Sequence, residues 1–288
     1  MNANLEQVYF PTDFSKHANN VLPYAAEIAL QTGSKLVLMH AIQYVVEIAP
    51  SFEDLKEQFV QTANEQFDRY INQLLQDTRF KELEISTVLL WGNPVVNVLK
   101  QVQMHEQGLI IMGTKGATAD RNALLGSTTS GIIKKSTIPV LAVPYGSKFD
   151  KFPHITFTTD YKEGDLAALK QIVHFAKLFD STIDISHIDE GLHTSDNETL
   201  EDEIKFRGFC DLVKSSIDYD DIHFSRKHEN DFYTGIADYL SESSTSLLVM
   251  IKYKKSFFEA LAERNHIREM ALYSKVPLLI LIGNPPQK

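Results

Sequence analysis

Cysteine, long apolar runs and targeting signals are scarce or absent in this chain of 288 residues. Cys210 is its one cysteine, so no disulfide can form within the chain, and a reducing compartment is favoured. Its apolar neighbours in the sequence predict a small space-filling residue rather than a nucleophile. No uninterrupted apolar stretch approaches the roughly 20 residues of a membrane span, and the N-terminus lacks a signal-peptide pattern. These absences predict a soluble cytoplasmic protein.

Positive charge and metal-ligand patterns are also in short supply. Lys and Arg number 28 against 38 Asp and Glu, which gives a formal net charge of −10. That balance argues against nucleic acid or an anionic membrane surface as a partner, because both require a basic face. The 10 histidines are scattered, without His-x-x-His or Cys/His clusters, so no metal site is predicted. The 43% hydrophobic content is ample for packed cores.

The motifs of dedicated ATPases and kinases are missing as well. There is no Gly-x4-Gly-Lys-Ser/Thr loop and no His-Arg-Asp or Asp-Phe-Gly set. What is present is Gly113-x2-Gly116-x9-Gly126, followed by hydroxyl residues at 127–129, between an apolar run and a helix-like stretch. Glycine lets backbone N–H groups approach an anion, and the first turn of a helix offers further donors. The segment predicts a phosphate-binding loop; the alternative is three ordinary turn glycines beside a serine-rich cap.

An internal repeat divides the chain into two copies. The run 8–15 is echoed by 155–162, and each run is followed by a helical stretch and then by a strand that ends in histidine. Both copies also close on a Pro followed by apolar residues. Each copy has about 140 residues, a typical domain size. We therefore predict domains at 1–146 and 152–288, joined within 145–151.

Strands and helices alternate in the first copy. The strands are predicted near 7–12, 35–41, 83–90, 108–113 and 139–143, and the helices near 17–32, 53–77, 94–105 and 128–136. This alternation predicts an α/β fold of the doubly wound, Rossmann-like kind, with a parallel sheet covered on both faces. Ligands of such sheets lie at the carboxyl ends of strands where the strand order reverses. Asp13 and Gly113, at the ends of the first and fourth strands, are expected to flank that crevice.

These residues resemble the universal stress protein family. The resemblance is carried by Pro11-Thr-Asp-Phe-Ser, His40-Ala-Ile, Gly92-Asn-Pro, the glycine pattern from Gly113 to Ser127, and Ile138-Pro-Val. The glycine pattern is similar to that of the ATP-binding branch, and the resemblance covers nearly the entire chain as a tandem pair. It implies that each domain is a five-stranded parallel sheet of order 3-2-1-4-5 flanked by helices. It also implies ATP as the ligand of the first domain, with or without Mg²⁺.

The same resemblance implies a role for each matching position of the first copy. Eleven residues are implied to bind the nucleotide: Pro11, Thr12 and Asp13 at the adenosine, Ala41 at the adenine through its backbone, Met112, Gly113, Thr114 and Gly116 around the ribose and phosphates, and Gly126, Ser127 and Thr128 at the terminal phosphates. No catalytic residue is assigned. An alternative for Asp13 is a helix cap, and the two roles are compatible. His40 is expected to be a buried, hydrogen-bonded histidine of the second strand, with a catalytic role as the alternative.

The second copy departs from the glycine pattern. When the copies are aligned through Pro139 and Pro277, the positions of Gly113, Gly116, Gly126 and Ser127 become Ile251, Lys254, Arg264 and Asn265. A β-branched residue and two long cations then replace the backbone that would meet phosphate, so we expect no ATP there in the usual mode. The cations Lys252, Lys254, Lys255 and Arg264 either attract a different anion or form a solvated charged face. An acidic stretch, 198–203, is expected to be the solvated start of a helix.

Three functions remain open from the sequence. The first is a regulator that binds ATP in its N-terminal domain and presents a changed surface to an unknown protein partner. The second is a slow ATP hydrolase or phosphotransferase that uses Asp13 or Asp120 with Mg²⁺. The third is a stress-related scaffold whose site is vestigial. Because the family commonly pairs domains through their fifth strands, the resemblance further implies an intramolecular pseudo-dimer through 140–143 and 278–282, and a homodimer is left open.

Overall fold

The computed structural model describes residues 5–43, 52–104, 107–114, 126–190, 196–229, 231–252 and 276–283. The chain divides into two compact units, 2–149 and 150–288. Each unit alternates strands with helices around a sheet.

The first unit contains five strands and five α-helices among its described residues. The strands are β1 (Gln7–Pro11), β2 (Lys35–Ile42), β3 (Ile85–Trp91), β4 (Gly108–Gly113) and β5 (Val140–Val143). The helices are α1 (Lys16–Asn19), α2 (Leu22–Thr32), α3 (Phe52–Leu74), α4 (Pro94–Val102) and α5 (Ser127–Lys135), with a short 3-10 turn at Thr78–Phe80.

The strands of the first unit pair in the order β3-β2-β1-β4-β5, and each of these pairs is parallel. The central strand β1 has Tyr9 opposite Val37 on one side and Ile110 on the other. Tyr9 and Ile110 are wholly buried, as expected for strands of a parallel sheet that is covered on both faces. The predicted α/β fold class is therefore confirmed.

One predicted element is wrong in detail. The helix expected at 17–32 is two helices, with a break at Asn20 and Val21 before α2 begins. Pro23 lies in the first turn of α2. Proline has no N–H, and its ring clashes with the carbonyl group four residues earlier in a continuous helix, so the chain breaks and restarts there. The other predicted elements of this unit are found, with ends displaced by less than one helical turn.

The second unit has the same element pattern. Its strands are β6 (His154–Thr158), β7 (Thr182–Glu190), β8 (Ile222–Glu229), β9 (Leu247–Lys252) and β10 (Leu278–Ile282), and its described helices are α6 (Glu163–Phe179), α7 (Asp196–Ser216) and α8 (Phe232–Glu242). The order is β10-β9-β6-β7-β8, again with parallel pairs. Cys210 in α7 is 9% exposed, and burial raises the pKa of its thiol, so its predicted space-filling role is confirmed.

Within the described parts of the chain, every helix is too short or too polar to cross a bilayer.

Candidate nucleotide site

The carboxyl ends of β1, β2 and β4 lie side by side at one edge of the first sheet. Pro11, the last residue of β1, pairs with Met39 of β2, and Tyr9 pairs with Ile110 of β4. The strand order reverses at β1, since its neighbours β2 and β4 lead the chain in opposite directions across the sheet. Ligands of doubly wound sheets bind at such a reversal. Three predicted site residues, Pro11, Ala41 and Gly113, thus end up at this edge.

The turn after β1 is held by its own side chains. Thr12 is 7% exposed; its N–H donates to Met39 O at 2.8 Å, and its Oγ1 accepts the N–H of Phe14 at 3.0 Å. Asp13 is exposed, and its Oδ1 accepts the N–H of Ser15 at 3.0 Å. Ser15, rather than Asp13, is the N-cap of α1. The expected capping role of Asp13 is thus found in the turn before α1 and not in the helix itself, because the chain needs two more residues to turn before the helix begins.

An aromatic cluster packs against this turn. Phe14 has a left-handed backbone, φ 57°, and its ring lies 4.4 Å from His40, 5.1 Å from Phe67 and 5.3 Å from Tyr70, measured between ring centroids. His40 Nδ1 donates to the carbonyl oxygen of Thr12 at 2.8 Å, so the predicted hydrogen bond of His40 is confirmed, but its side chain is half-buried rather than buried. Burial, and secondarily the charge of Asp13, raises the pKa of Tyr70, so its hydroxyl stays neutral.

The two ends of the glycine segment are held together by hydrogen bonds. Thr114 follows the end of β4, and its carbonyl oxygen accepts the N–H of Gly126 at 2.6 Å. Thr129 is 3% exposed, and its Oγ1 donates to the carbonyl oxygen of Gly113 at 2.8 Å. These bonds place the first turn of α5 against the carboxyl end of β4. Gly116, the remaining predicted residue of this loop, lies outside the described residues.

The start of α5 presents donors suited to an anion. Gly126 is its N-cap, and the N–H of Ser130 is the first to find an acceptor within the helix, Gly126 O at 2.9 Å. The N–H groups of the three residues between them have no intrahelical acceptor, as in any helix start. Ser127 is exposed and Thr128 is half-buried. Amides, hydroxyls and the positive end of the helix dipole together match a phosphate group.

Met112 and Ala41 line the same edge from the strands. Met112, next to Gly113 on β4, is 5% exposed, and Ala41, on β2, is half-buried. Ala41 pairs with Leu90 of β3. The structure thus brings all the predicted site residues that it describes to the carboxyl edge of β1, β2 and β4.

The second unit repeats the turn after its first strand. Tyr161 has φ 60°, and its N–H donates to Thr159 Oγ1 at 3.0 Å. His187 Nδ1 donates to Thr159 O at 2.6 Å, and the rings of Tyr161 and His187 lie 4.3 Å apart. The same three contacts occur in the first unit through Thr12, Phe14 and His40. The local backbone at this edge is therefore alike in both units.

The chemistry of this edge differs between the units. In the second, Asp165 is 1% exposed and accepts the N–H groups of Asp160 at 3.2 Å and of Lys162 at 3.1 Å, as well as the Thr159 hydroxyl at 2.6 Å. The amide that corresponds to Lys162 in the first unit, that of Ser15, is bonded instead to Asp13, an exposed residue of the turn itself. The position that corresponds to Asp165 in the first unit is Ala18, since the two runs are offset by a constant number of residues.

The end of β9 also lacks glycine. Ile251 and Lys252 stand there, and burial lowers the pKa of Lys252. Lys254, Lys255, Arg264 and Asn265 lie outside the described residues. The first unit therefore has glycine at the end of β4, and the second has a branched side chain and a cation at the matching strand end.

A charged cluster in the second unit was not predicted from the sequence. Asp189, on β7, is buried and contacts Arg226 and His228 of β8 and His187 of its own strand. The acidic stretch expected to be solvated contributes Glu203 to this cluster, through Arg226. A detectable signal was the alternation His187-x-Asp189 and Arg226-x-His228, which places polar residues on one face of two predicted strands.

Comparison with known proteins agrees with this geometry. Residues 4–144 match the model of the universal stress protein family. A universal stress protein of Methanocaldococcus jannaschii is 27% identical over 161 residues, which are 50% of this chain and 97% of the relative. The crystal structure of a universal stress protein from Archaeoglobus fulgidus superposes with a TM-score of 0.68 at 17% identity and covers 99% of this chain and 100% of its own, a likeness of fold.

A second similar structure is that of a universal stress protein in complex with cAMP, which has a TM-score of 0.38 and 21% identity and covers 49% of this chain and 98% of its own. The family match coincides with the unit that carries the intact glycine segment. The chain thus carries a universal stress protein domain in residues 4–144.

Proposed function

We propose that this protein is a cytoplasmic, tandem universal stress protein that binds ATP in its first unit and uses it as a regulatory ligand rather than as fuel for rapid turnover. The bound nucleotide changes the surface that the protein presents to a protein partner. The proposal rests on the match to the universal stress protein family and on the edge geometry of the first unit.

One observation carries the proposal. The bond from Gly126 N–H to Thr114 O and the bond from Thr129 Oγ1 to Gly113 O join the first turn of α5 to the end of β4, at the reversal point of the sheet. In this arrangement, the amides of the first helical turn, which have no acceptor within the helix, lie at the position where ligands of doubly wound sheets bind. A loop that binds no phosphate would not require a glycine N-cap beside a strand that ends in glycine.

Each part of the nucleotide has matching residues in the proposal. Asp13 is exposed beside the reversal point, where a carboxylate suits the ribose hydroxyls or an exocyclic amine, with Pro11, Thr12 and the backbone of Ala41 beside it. Met112, Gly113, Thr114 and Gly116 surround the ribose and inner phosphates in this assignment. Gly126, Ser127 and Thr128 hold the outer phosphates. The Ser127 and Thr128 hydroxyls are oxygen donors of the kind that a nucleotide-borne Mg²⁺ accepts.

The second unit is proposed to leave ATP unbound. Ile251 stands where the first unit has Gly113, so a branched side chain takes the place of backbone that would approach phosphate. The exposed Asp160 side chain pairs with Lys162 Nζ at 2.6 Å instead of facing a ligand. We therefore expect one nucleotide per chain.

Isothermal titration of the full chain with ATP and MgCl₂ tests this. A stoichiometry of one supports the asymmetric site. A stoichiometry of two contradicts the role given to the glycine loop, and no binding leaves the scaffold function in its place. Steady release of ADP at a rate comparable with binding would favour the hydrolase instead.

Two matched pairs of variants sharpen the titration. Gly113→Ile copies the second unit into the first and is expected to abolish binding, whereas Ile251→Gly is expected to leave the affinity unchanged. Asp13→Ala is expected to weaken binding at least about tenfold, the loss of one charge-assisted contact, and Asp160→Ala to have no effect. Equal effects within a pair would contradict the assignment to the first unit.

A further inference from the structure

The first turns of α3 extend beyond the carboxyl edge of the first sheet. The buried side chains in the described part of this helix are Ala63, Phe67, Tyr70 and Leu74. No side chain of residues 55–62 is buried. Phe67 packs against Phe14, in the turn after β1, with 5.1 Å between the ring centroids. Phe59 precedes Phe67 by two turns, so it lies about 12 Å further out along the helix axis.

Strands β2 and β3 extend beyond β1 on the same side of the sheet. Pro11, the last residue of β1, pairs with Met39, whereas β2 continues to Ile42, which pairs with Trp91 of β3. Three further strand residues add about 10 Å, so the two strands reach nearly as far beyond the end of β1 as the first turns of α3. Lys56 Nζ lies 5.9 Å from the centroid of the Trp91 ring, which places the beginning of α3 against the end of β3.

Two large apolar side chains in these turns of α3 are exposed to solvent. Leu55 is 44% exposed and Phe59, one turn later, is 46% exposed. Phe59 precedes Tyr70 by about three helical turns, so both residues lie on the same side of the helix. That side faces the turn after β1, because Thr12 Oγ1 donates to Tyr70 Oη at 3.4 Å. Leu55 and Phe59, named here the α3 wall, therefore border the crevice at the carboxyl edge with an apolar surface.

The second unit shows that the fold does not require an apolar surface at this place. The buried and half-buried residues of α3 have the same spacing as Phe206, Cys210, Val213 and Ile217 in and after α7. In this register, Glu198 and Asp202 stand where the first unit has Leu55 and Phe59. The adjacent Glu203 accepts from Arg226 Nη1 of β8 at 3.0 Å. Carboxylates thus take the place of the α3 wall in the unit without the glycine loop.

We propose that the α3 wall binds the base of the nucleotide, with the ring of Phe59 packed on the flat face of the base and Leu55 beside it. The inference rests on the proposed binding of ATP to the first unit. The phosphate donors lie at the end of β4 and the start of α5, on one side of β1. The α3 wall lies on the other side, next to β2 and β3. A nucleotide held by its phosphates at β4 reaches α3 across Pro11 and Ala41.

An aromatic wall gives the site a preference that its phosphate donors cannot give. Backbone amides and hydroxyls at the start of α5 contact phosphate, which is the same in every nucleoside triphosphate. An aromatic ring binds the face of a base, and the contact strengthens with the stacked area. A purine has two fused rings and a pyrimidine has one, so the α3 wall favours ATP over UTP. Removal of the Phe59 ring should reduce that preference.

Isothermal titration of the full chain with ATP, UTP and inorganic tripolyphosphate tests the proposal. Phe59→Ala is expected to weaken ATP binding about tenfold, the effect of one base–aromatic stack, to weaken UTP binding less and to leave tripolyphosphate binding unchanged. Phe59→Tyr keeps the ring and should keep the affinity for ATP. Met104→Ala is the matched control: Met104 is 69% exposed and follows α4 near the opposite edge of the sheet, so all three affinities should stay the same.

Three results would overturn the role of the α3 wall and leave ATP binding to the first unit in place. They are an unchanged ATP affinity in Phe59→Ala, equal losses of affinity for ATP and tripolyphosphate, and a changed oligomeric state in light scattering with the ATP affinity intact. The last would assign the α3 wall to a second copy of the chain. An unmutated chain that binds neither ATP nor tripolyphosphate would contradict the proposed function and the α3 wall together.

Discussion

Thr129→Val tests whether the start of α5 is held where the phosphate site requires it. Valine has the shape of threonine without the hydroxyl, so the change removes the 2.8 Å bond from Oγ1 to Gly113 O and little else. Thr129 is 3% exposed, so water cannot readily replace the lost donor. An acceptor left unsatisfied in a buried position costs about 1–3 kcal/mol. Because Gly113 itself is only half-buried, the lower end, about 1 kcal/mol, is expected.

The assay uses the single tryptophan of the chain. Trp91 lies in β3, so its fluorescence during urea unfolding reports on the first unit. A loss of about 1 kcal/mol corresponds to a melting temperature lower by about 4 °C for a domain of this size. If ATP binding must restore the order that the hydroxyl provided, the affinity for ATP falls about fivefold for the same free energy.

Thr87→Val is the matched control. Thr87 is exposed on β3, and the same chemical change there is expected to alter stability by less than about 0.5 kcal/mol. If Thr129→Val has the same free energy of unfolding as Thr87→Val and retains full ATP affinity, the bond between α5 and β4 does not organise the site. A loss of stability without a loss of affinity would separate the fold of the loop ends from nucleotide binding.

Changes at four further positions probe the packing of the two units. A methyl group added by Gly235→Ala would lie 2.5 Å from Ile188 Cγ2, so the free energy of unfolding measured by calorimetry should fall by about 1–3 kcal/mol. Gly208 lies in helix α7 with open space around it, so Gly208→Ala should raise that free energy by about 0.5–1 kcal/mol. Burial raises the pKa of Tyr9 to about 12, so the first unit keeps its stability below about pH 10 and loses it as pH rises toward 12. Tyr9→Phe should reduce that loss in an alkaline titration of tryptophan fluorescence, and the part that remains is expected from Tyr70, whose pKa is also raised by burial. Gly33 has φ 66° and nothing near an added methyl group, so Gly33→Ala should lower the free energy of unfolding by backbone strain alone, about 1 kcal/mol. Gly33→Asn should lower it less.

Much of the first unit could be predicted because its signals are local. Apolar runs such as 109–112 and the helical period of 53–77 specify elements without knowledge of their neighbours. Alternation of strand and helix then restricts the sheet to a parallel one. The break before Pro23 was missed although proline is a local signal, because the helical pattern on both sides of it continues without interruption.

The place of the candidate site residues in the fold was predictable for a similar reason. In a parallel sheet the end of each strand lies at the same edge, so Asp13 and Gly113 could be assigned to one crevice from strand positions alone. Which atoms meet there was not predictable. The sequence offered Asp13 as a helix cap, and the cap proved to be Ser15, since the answer depends on the path of a turn with a left-handed residue at Phe14.

The order of elements, the two copies and the glycine pattern are properties of the chain that residue spacing alone determined, because secondary structure follows from periodicity over short distances. Tertiary structure decided the partners of Asp189 and Asp165. Each of these carboxylates meets groups from other strands or turns, and contacts of that kind depend on register and on close approach in space. For that reason the two units share one backbone plan and differ in the chemistry at their edges.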